Sequence, residues 1–158
     1  GNLYIRGNTI AGGYYNNEEA SKAAIDEEGY FGTGDVASID EQGFLRLTDR
    51  AKDLIKSGGE WISSIDLENR AMSHPDVENC AVIAIPHEKW DERPLLVVVP
   101  VEGKKPSKEE LIKHLEGHFA KWQMPDDVVY EDELPLTATG KVSKLTLRQK
   151  YENYTLAS

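Results

Sequence analysis

Two apolar stretches, CAVIAIP at 80–86 and RPLLVVVP at 93–100, decide the fold that this sequence predicts. Both are rich in β-branched residues and are bounded by proline, a pattern typical of buried strands. The segments around them predict short helices and shorter strands. We therefore expect an α+β domain with a short, mostly antiparallel sheet, a β-hairpin and about three helices.

A hairpin and a helix are predicted before the two buried strands. The segments KDLIK and EWIS flank SGG at 57–59, which indicates two strands joined by a flexible tip. Ser64 is suited to cap a helix that ends near His74, because Pro75 follows.

After the buried strands, SKEELIKHLEGHF at 107–119 gives the clearest helix signal. Ser107 and Glu110 have the spacing of a capping box. One face is expected to carry Leu111, Ile112, Leu115 and Phe119. A strand at DDVVY and a last helix from about Val142 to Tyr151 complete the predicted domain, which spans 50–158, about 110 residues.

Residues 1–49 differ from the rest of the chain in residue pattern and apolar content. LYIRG predicts a short strand, Asn16–Asp26 a polar helix, and the segment around a turn at Glu41–Gly43 two more strands. This part has too few apolar residues for its own core. We expect it to be the last strip of a larger domain, with a boundary near Asp49, and because the sequence opens on Gly1 we expect a cut piece of a longer protein.

Composition limits the classes of function. The 158 residues carry a net charge of −10 with a pI near 4.9, which argues against nucleic acid as a partner. No apolar run approaches the roughly 20 residues of a membrane span. The single cysteine, Cys80, lies in an apolar run and is expected to be buried, which fits a reducing, cytoplasmic setting. His114 and His118 have the spacing of helical metal ligands, but no third ligand is suitably placed, so no metal site is predicted.

The stretch GYFGTGDV at 29–36 places a carboxylate, Asp35, after two glycines. A carboxylate can accept two hydrogen bonds, which suits the two hydroxyl donors of a ribose. An aspartate that closes a turn on its own backbone is the alternative, and spacing alone favours it.

The stretch TDRAKDLIKSGGEWIS at 48–63 combines cations with glycines. Arg50 has the planar fork that binds phosphate or ribose. If residues 50–56 form one strand, Arg50, Lys52 and Lys56 share a face. The alternative is a solvated strand face paired with neighbouring aspartates. Gly58–Gly59 allows close approach of a ligand, although a plain hairpin turn explains it equally well.

The stretch PLTATGK at 135–141 presents Lys141 on what the sequence suggests is a mobile loop without a nearby carboxylate. An ammonium group is suited to bridge two anions, and it stabilises the charge that develops when a carboxylate attacks a phosphate. The alternative is an exposed lysine at a helix start. That position is electrostatically poor, because a helix N-terminus is itself positive.

Together these three stretches resemble, in order, the motifs of the adenylate-forming superfamily of acyl-CoA synthetases, luciferases and peptide-synthetase adenylation domains. GYFGTGDV resembles its Y-x-x-T-G-D motif, DRAKDLIKSGGEWIS with the following DLE its hinge motif, and PLTATGK its P-x-T-x-x-G-K motif. IKSGGEWISS and IPHEKWDERP resemble the medium- or long-chain fatty acyl-CoA ligase branch. Asp49 and Lys52 differ from the commonest residues at their positions, in a way that also fits the fatty acyl and luciferase branches.

The resemblance implies a C-terminal lid domain that closes on the enzyme's own N-terminal, AMP-binding domain. It implies ATP/AMP, coenzyme A and Mg²⁺ as cofactors, with Mg²⁺ bound mainly by the N-terminal domain. Lys141 would catalyse adenylation and Lys52 would be the hinge. The residues that it assigns to cofactor binding are Asp35, Arg50, Lys56, Gly58, Gly59 and Trp61.

The function implied is an ATP-dependent acid–thiol ligase that acts on fatty acids, inactive as this fragment. Two alternatives stay open. One is a related enzyme with another acceptor, luciferase-like or carrier-protein-dependent. The other is a free-standing, non-catalytic interaction domain derived from the lid.

Overall fold

The structure is a computed structural model that describes residues 1–156. It contains two compact units, one of residues Gly1–Lys52 and one that begins at Asp53. The sequence placed a domain boundary between 49 and 50, close to this division. Each unit is described by itself below.

The first unit is a three-stranded antiparallel sheet with one helix. Its strands, in sheet order, are β1 (Asn2–Ile5), β2 (Phe31–Ile39) and β3 (Leu45–Arg50), and helix α1 is Glu18–Ala24. Asn17 caps α1, because its side chain accepts a hydrogen bond from Ala20 N at 2.9 Å. Within residues 1–52, all of which the structure describes, Ala37 is the one buried apolar residue. The unit is thus strand-rich and has hardly any core, as the composition suggested.

The second unit is built on a five-stranded sheet. Its elements are β4 (Ile55–Ser57), β5 (Glu60–Ile62), α2 (Ser64–Met72), β6 (Val77–His87), β7 (Asp91–Pro100), α3 (Lys108–Leu115), β8 (Asp127–Tyr130) and α4 (Lys144–Lys150). The long strand β7 pairs with β6 along one edge, whereas β4 and β8 pair with its other edge. The β7–β8 pair is parallel and the others are antiparallel. The predicted α+β class and mostly antiparallel sheet are confirmed.

Both faces of this sheet are covered, which explains why its central strands are continuously apolar. Val82 and Leu96 pair across β6 and β7 and pack with α2 and α3, whereas their neighbours Ile83 and Leu95 face the other way and pack with α4. Cys80 is buried in the first of these two clusters, as expected.

Several predicted boundaries are wrong in detail. The cap of α2 is Ser63 rather than Ser64, since Ser63 Oγ accepts from Asp66 N at 3.2 Å. The Ser107–Glu110 capping box is present, but α3 ends at Leu115. Gly117, with a φ of +80°, follows that end, so Phe119 packs on the core from outside the helix and His118 is not helical.

Candidate functional site

Lys141 is exposed at the end of a tight turn. The backbone N–H of Thr137 donates to Lys141 O at 2.7 Å, and Gly140 N donates to Thr137 O at 2.9 Å. Gly140 has a φ of +79°, a conformation that glycine adopts without strain. The sequence suggested a mobile loop, but these hydrogen bonds close the segment on itself. Lys141 therefore stands on a defined base.

The ammonium group of Lys141 is available to a ligand. Among residues 1–156 no carboxylate lies within ion-pairing distance of it. Lys141 precedes Ser143, whose hydroxyl caps α4 by accepting from Thr146 N at 3.3 Å. The turn is thus joined directly to a helix whose Leu147 is fully buried.

Two ion pairs fix α4 within the second unit. Lys144 Nζ lies 2.7 Å from Glu68 Oε1 and donates to Ser64 Oγ at 2.6 Å, which joins α4 to α2. Arg148 Nη1 lies 2.7 Å from Asp53 Oδ1, which joins it to the first residue of the unit. The base of the Lys141 turn is therefore held from two directions.

Asp35 and Arg50 form a pair in the first unit. They are register partners on β2 and β3, and Arg50 Nε lies 3.2 Å from Asp35 Oδ1. Arg50 Nη1 also donates to Thr33 O at 3.1 Å. The turn-closing role that the spacing favoured for Asp35 is wrong, because among the described residues its carboxylate forms an ion pair with Arg50 and accepts no hydrogen bond from its own backbone. Among the residues that the structure describes, nothing donates to the second oxygen, Asp35 Oδ2.

The predicted common face of Arg50, Lys52 and Lys56 is wrong. β3 ends at Arg50 and β4 begins at Ile55, and the residues between them form turns, so period two does not run through the segment. Lys52 is exposed and is the last residue of the first unit. Its position is compatible with a hinge, which stays a prediction.

The predicted hairpin is present in the second unit. Lys56 and Trp61 are register partners on β4 and β5, and both are exposed. Lys56 Nζ lies 3.5 Å from Asp91 Oδ2. Gly58 and Gly59, at the tip, have φ values of +61° and +89°, which other residues adopt only with strain.

Trp90 closes one side of the hairpin, a contact that the motif did not predict. Gly58 N donates to Trp90 O at 2.8 Å, and a Cβ atom on Gly58 would lie 2.8 Å from Trp90 Cε3. A Cβ atom on Gly59 would meet no atom of residues 1–156 within 4 Å. Gly58 is therefore needed for contact with Trp90, whereas Gly59 leaves open space.

A pocket of about 290 Å³ lies next to the tip of the hairpin. Trp90 and Trp122, each somewhat over two-fifths exposed, offer aromatic rings there, and Glu60 lines the pocket beside them. The buried Arg93 lies at its base. The sequence offered a signal for Trp90 only in the stretch IPHEKWDERP, and Trp122 stands in a segment that gave none.

The two histidines with metal-ligand spacing do not share a helix, because His114 lies in α3 and His118 in the turn after it. His114 Nε2 lies 2.9 Å from Ser73 Oγ, and its ring packs edge-on against His74. Burial, with help from the charge of Arg70, lowers the pKa of His114. Among residues 1–156 no three His, Cys, Asp or Glu side chains are grouped as metal ligands, and no helix is long and apolar enough to cross a membrane.

The family follows from this fold and from sequence comparison. Residues 66–141 match the family model of the AMP-binding enzyme C-terminal domain. The fold superposes with a TM-score of 0.88 on an ATP-bound crystal structure of MatB from Rhodopseudomonas palustris, which is 33% identical and aligns over 97% of this chain and 30% of that one. The chain belongs to the adenylate-forming superfamily, and its second unit carries the C-terminal domain.

Curated relatives narrow the class further. A long-chain-fatty-acid–CoA ligase of Thermus thermophilus is 56% identical over 98% of this chain. A 3-methylmercaptopropionyl-CoA ligase of Ruegeria lacuscaerulensis is 50% identical over 97% of it. The chain spans 28% of the length of each of these relatives. It is thus similar to one part of CoA ligases that are named for different acids.

Proposed function

We propose that the chain is the C-terminal part of an ATP-dependent acyl-CoA ligase that acts on fatty acids. In the first half-reaction, an oxygen of the carboxylate would attack the α-phosphorus of ATP, and pyrophosphate would leave with the electrons of the broken P–O bond. In the second, the thiol of coenzyme A would attack the acyl carbon, release AMP and lose its proton to solvent. The observation that carries this proposal is the unpaired, exposed ammonium group of Lys141 on its closed turn.

Lys141 has the chemistry that the first half-reaction needs. The attacking carboxylate and the phosphate are both anions, and a fixed ammonium group between them lowers the cost of bringing them together. A side chain already paired with a carboxylate would have to break that pair first. The turn and the anchored α4 would place Lys141 at the reacting groups without the cost of breaking an ion pair.

Asp35 and Arg50 would bind the nucleotide. Arg50 holds one carboxylate oxygen of Asp35, and the other oxygen can accept from a ribose hydroxyl. This arrangement fits a ribose better than it fits a metal ion, because the two residues carry opposite charges. ATP would bring Mg²⁺, whose ligands would come mainly from the N-terminal domain.

The hairpin would serve the second half-reaction. The open space beside Gly59 admits a narrow chain such as pantetheine, and Lys56 and Trp61 would lie along it. The aromatic pocket of Trp90 and Trp122 suits a flat ring such as adenine. These features favour coenzyme A as the acceptor.

The experiment that tests this function separates the half-reactions in the full-length protein. Lys141→Ala is expected to abolish acyl-AMP formation from a fatty acid and ATP, yet to keep thioester formation from supplied acyl-AMP. Lys113→Ala, on the exposed face of α3, serves as the control. Equal loss of both half-reactions would contradict the role of Lys141. Transfer to a carrier protein and not to coenzyme A would contradict the acceptor.

A further inference from the structure

Arg93 is buried beneath the hairpin, with only 6% of its surface exposed, and its guanidinium group is fully used. Its Nε and Nη2 donate to the two carboxylate oxygens of Asp126 at 2.7 and 2.6 Å. Nη1 donates to Ser57 Oγ at 2.9 Å and to Trp122 O at 2.5 Å, and Nη2 also donates to Met124 O at 2.9 Å. Because a guanidinium group has five N–H donors, none is left for a ligand.

The partners of Arg93 belong to separate segments that meet at the aromatic pocket. Ser57 is the last residue of β4 and directly precedes Gly58 at the hairpin tip. Trp122 and Asp126 lie on the segment between α3 and β8. Ser57, Trp122 and Asp126 all line the pocket. Arg93 itself is on β7, three residues after Trp90. One side chain thus links the hairpin, the Trp122 segment and the strand that follows Trp90.

This geometry assigns Arg93 a role in the placement of other groups. We propose that Arg93 is a positioning residue for the acceptor half-reaction. It fixes the hairpin of β4 and β5 against the Trp90–Trp122 pocket, so that the thiol acceptor is bound in the position needed for attack. The proposal rests on the proposed function of the hairpin. It follows from the arrangement that Arg93 acts through Ser57, Trp122 and Asp126, without contact with the acceptor.

A lysine at position 93 cannot make the same set of hydrogen bonds as Arg93. Its ammonium group has three donors at one point, so it cannot serve Asp126 bidentately and also reach Ser57 and the Trp122 carbonyl. Arg93→Lys therefore keeps the charge that neutralises Asp126 but loses the links between segments. Ser57→Ala is milder, since it removes the link to the hairpin and leaves the other four hydrogen bonds in place.

The test measures the two half-reactions in the full-length protein with Arg93→Lys and Ser57→Ala. Acyl-AMP formation is followed as pyrophosphate release without coenzyme A, and thioester formation from supplied acyl-AMP as a function of coenzyme A concentration. We expect kcat/KM for coenzyme A to fall about tenfold for Ser57→Ala and further for Arg93→Lys. Acyl-AMP formation should stay within about twofold of the parent. Arg6→Lys, an exposed arginine of the first unit, is the matched control.

Deuterium exchange of the hairpin gives a second readout that does not depend on activity. Exchange at 55–62 should increase in both variants, whereas exchange at 108–115, the α3 segment, should not. Equal loss of both half-reactions, or unchanged kinetics and exchange in Ser57→Ala, would overturn the role of Arg93. If the parent protein makes no thioester while the hairpin still loosens in the variants, the function assigned to the hairpin fails and its anchoring by Arg93 stands. If Arg93→Lys does not fold, Ser57→Ala alone decides.

Discussion

Lys144 and Glu68 form an ion pair of 2.7 Å that joins the helix after Lys141 to α2. The side chains are 14% and 18% exposed, so solvent screens the pair only weakly. Glu68 Oε1 also accepts from Val82 N at 2.7 Å, which ties the pair to the central strand β6. This ion pair thus connects the helix that follows the Lys141 turn to the core of the sheet, in addition to the buried side chain of Leu147.

Removal of the lysine should be costly because it takes away a cation that lies 2.7 Å from a mostly buried carboxylate. We expect Lys144→Met to lower the free energy of unfolding by about 2–3 kcal/mol. Urea unfolding of the 158-residue chain measures this change. Lys104→Met is the matched control, since Lys104 is 56% exposed and lies 3.5 Å from Asp76, and it should change stability by less than about 0.5 kcal/mol. Equal losses in the free energy of unfolding would show that the Lys144–Glu68 pair contributes no more than an exposed ion pair.

The two glycines of the hairpin should respond differently to a methyl group. Gly58→Ala combines a positive φ with a Cβ only 2.8 Å from Trp90, whereas Gly59→Ala has only the strained φ. We expect losses of about 2–4 kcal/mol for Gly58→Ala and about 1 kcal/mol for Gly59→Ala, measured by urea unfolding. In a Trp90→Ala background the extra cost of Gly58→Ala should disappear. If the effects of Gly58→Ala and Trp90→Ala on stability are additive, the Trp90 ring moves aside for the new methyl group without cost.

The sequence predicted the elements that depend on local pattern. The runs at 80–86 and 93–100 are apolar on both faces because helices cover both sides of β6 and β7, and their β-branched residues and flanking prolines favoured a strand over a buried helix. The Ser107–Glu110 box is likewise local. The common face assigned to Arg50 and Lys56 failed because a periodicity argument does not detect where a strand ends.

What the sequence could not predict depends on tertiary contacts. Arg93 stands in an apolar run beside a proline, and nothing local indicates that Ser57 and Asp126, 36 and 33 residues away, converge on it. Trp90 meets Gly58 only because β7 pairs with β4. Asp35 could be linked to Arg50 only once the register of β2 and β3 was known.

The Asp35–Arg50 pair should matter for nucleotide binding more than for stability. Arg50 is half exposed, so Arg50→Lys should change the free energy of unfolding by less than about 1 kcal/mol. In the full-length protein, Asp35→Asn should raise KM for ATP about 10- to 100-fold, because a charge-assisted hydrogen bond to the ribose is lost. Asp40→Asn is the control, since within residues 1–156 the Asp40 carboxylate accepts only from backbone N–H groups of its own turn, at Gln42 and Phe44. A KM that stays unchanged in Asp35→Asn would exclude Asp35 from the nucleotide site.

Cys80 provides a probe of the region around the Lys144–Glu68 pair. Burial, reinforced by the carboxylate of Glu68 and opposed by Lys144, raises the pKa of the Cys80 thiol to about 12. An ordinary thiol has a pKa of about 8.5 and is partly thiolate at pH 8, whereas Cys80 in the folded chain stays protonated there.

Because the folded-state pKa is raised, the thiol's contribution to stability is fully present below about pH 8.5, and it is lost as the pH rises toward 12. We expect a disulfide reagent at pH 8 to label Cys80 slowly in the folded chain and rapidly in urea. Lys144→Met should speed native-state labelling exponentially with its loss of stability, by about 30- to 160-fold for a loss of about 2–3 kcal/mol, since the thiol reacts mainly when the core opens. Lys104→Met should leave the labelling rate of the native chain unchanged. Fast labelling of the native parent chain, at a rate insensitive to urea, would show that Cys80 is accessible without opening.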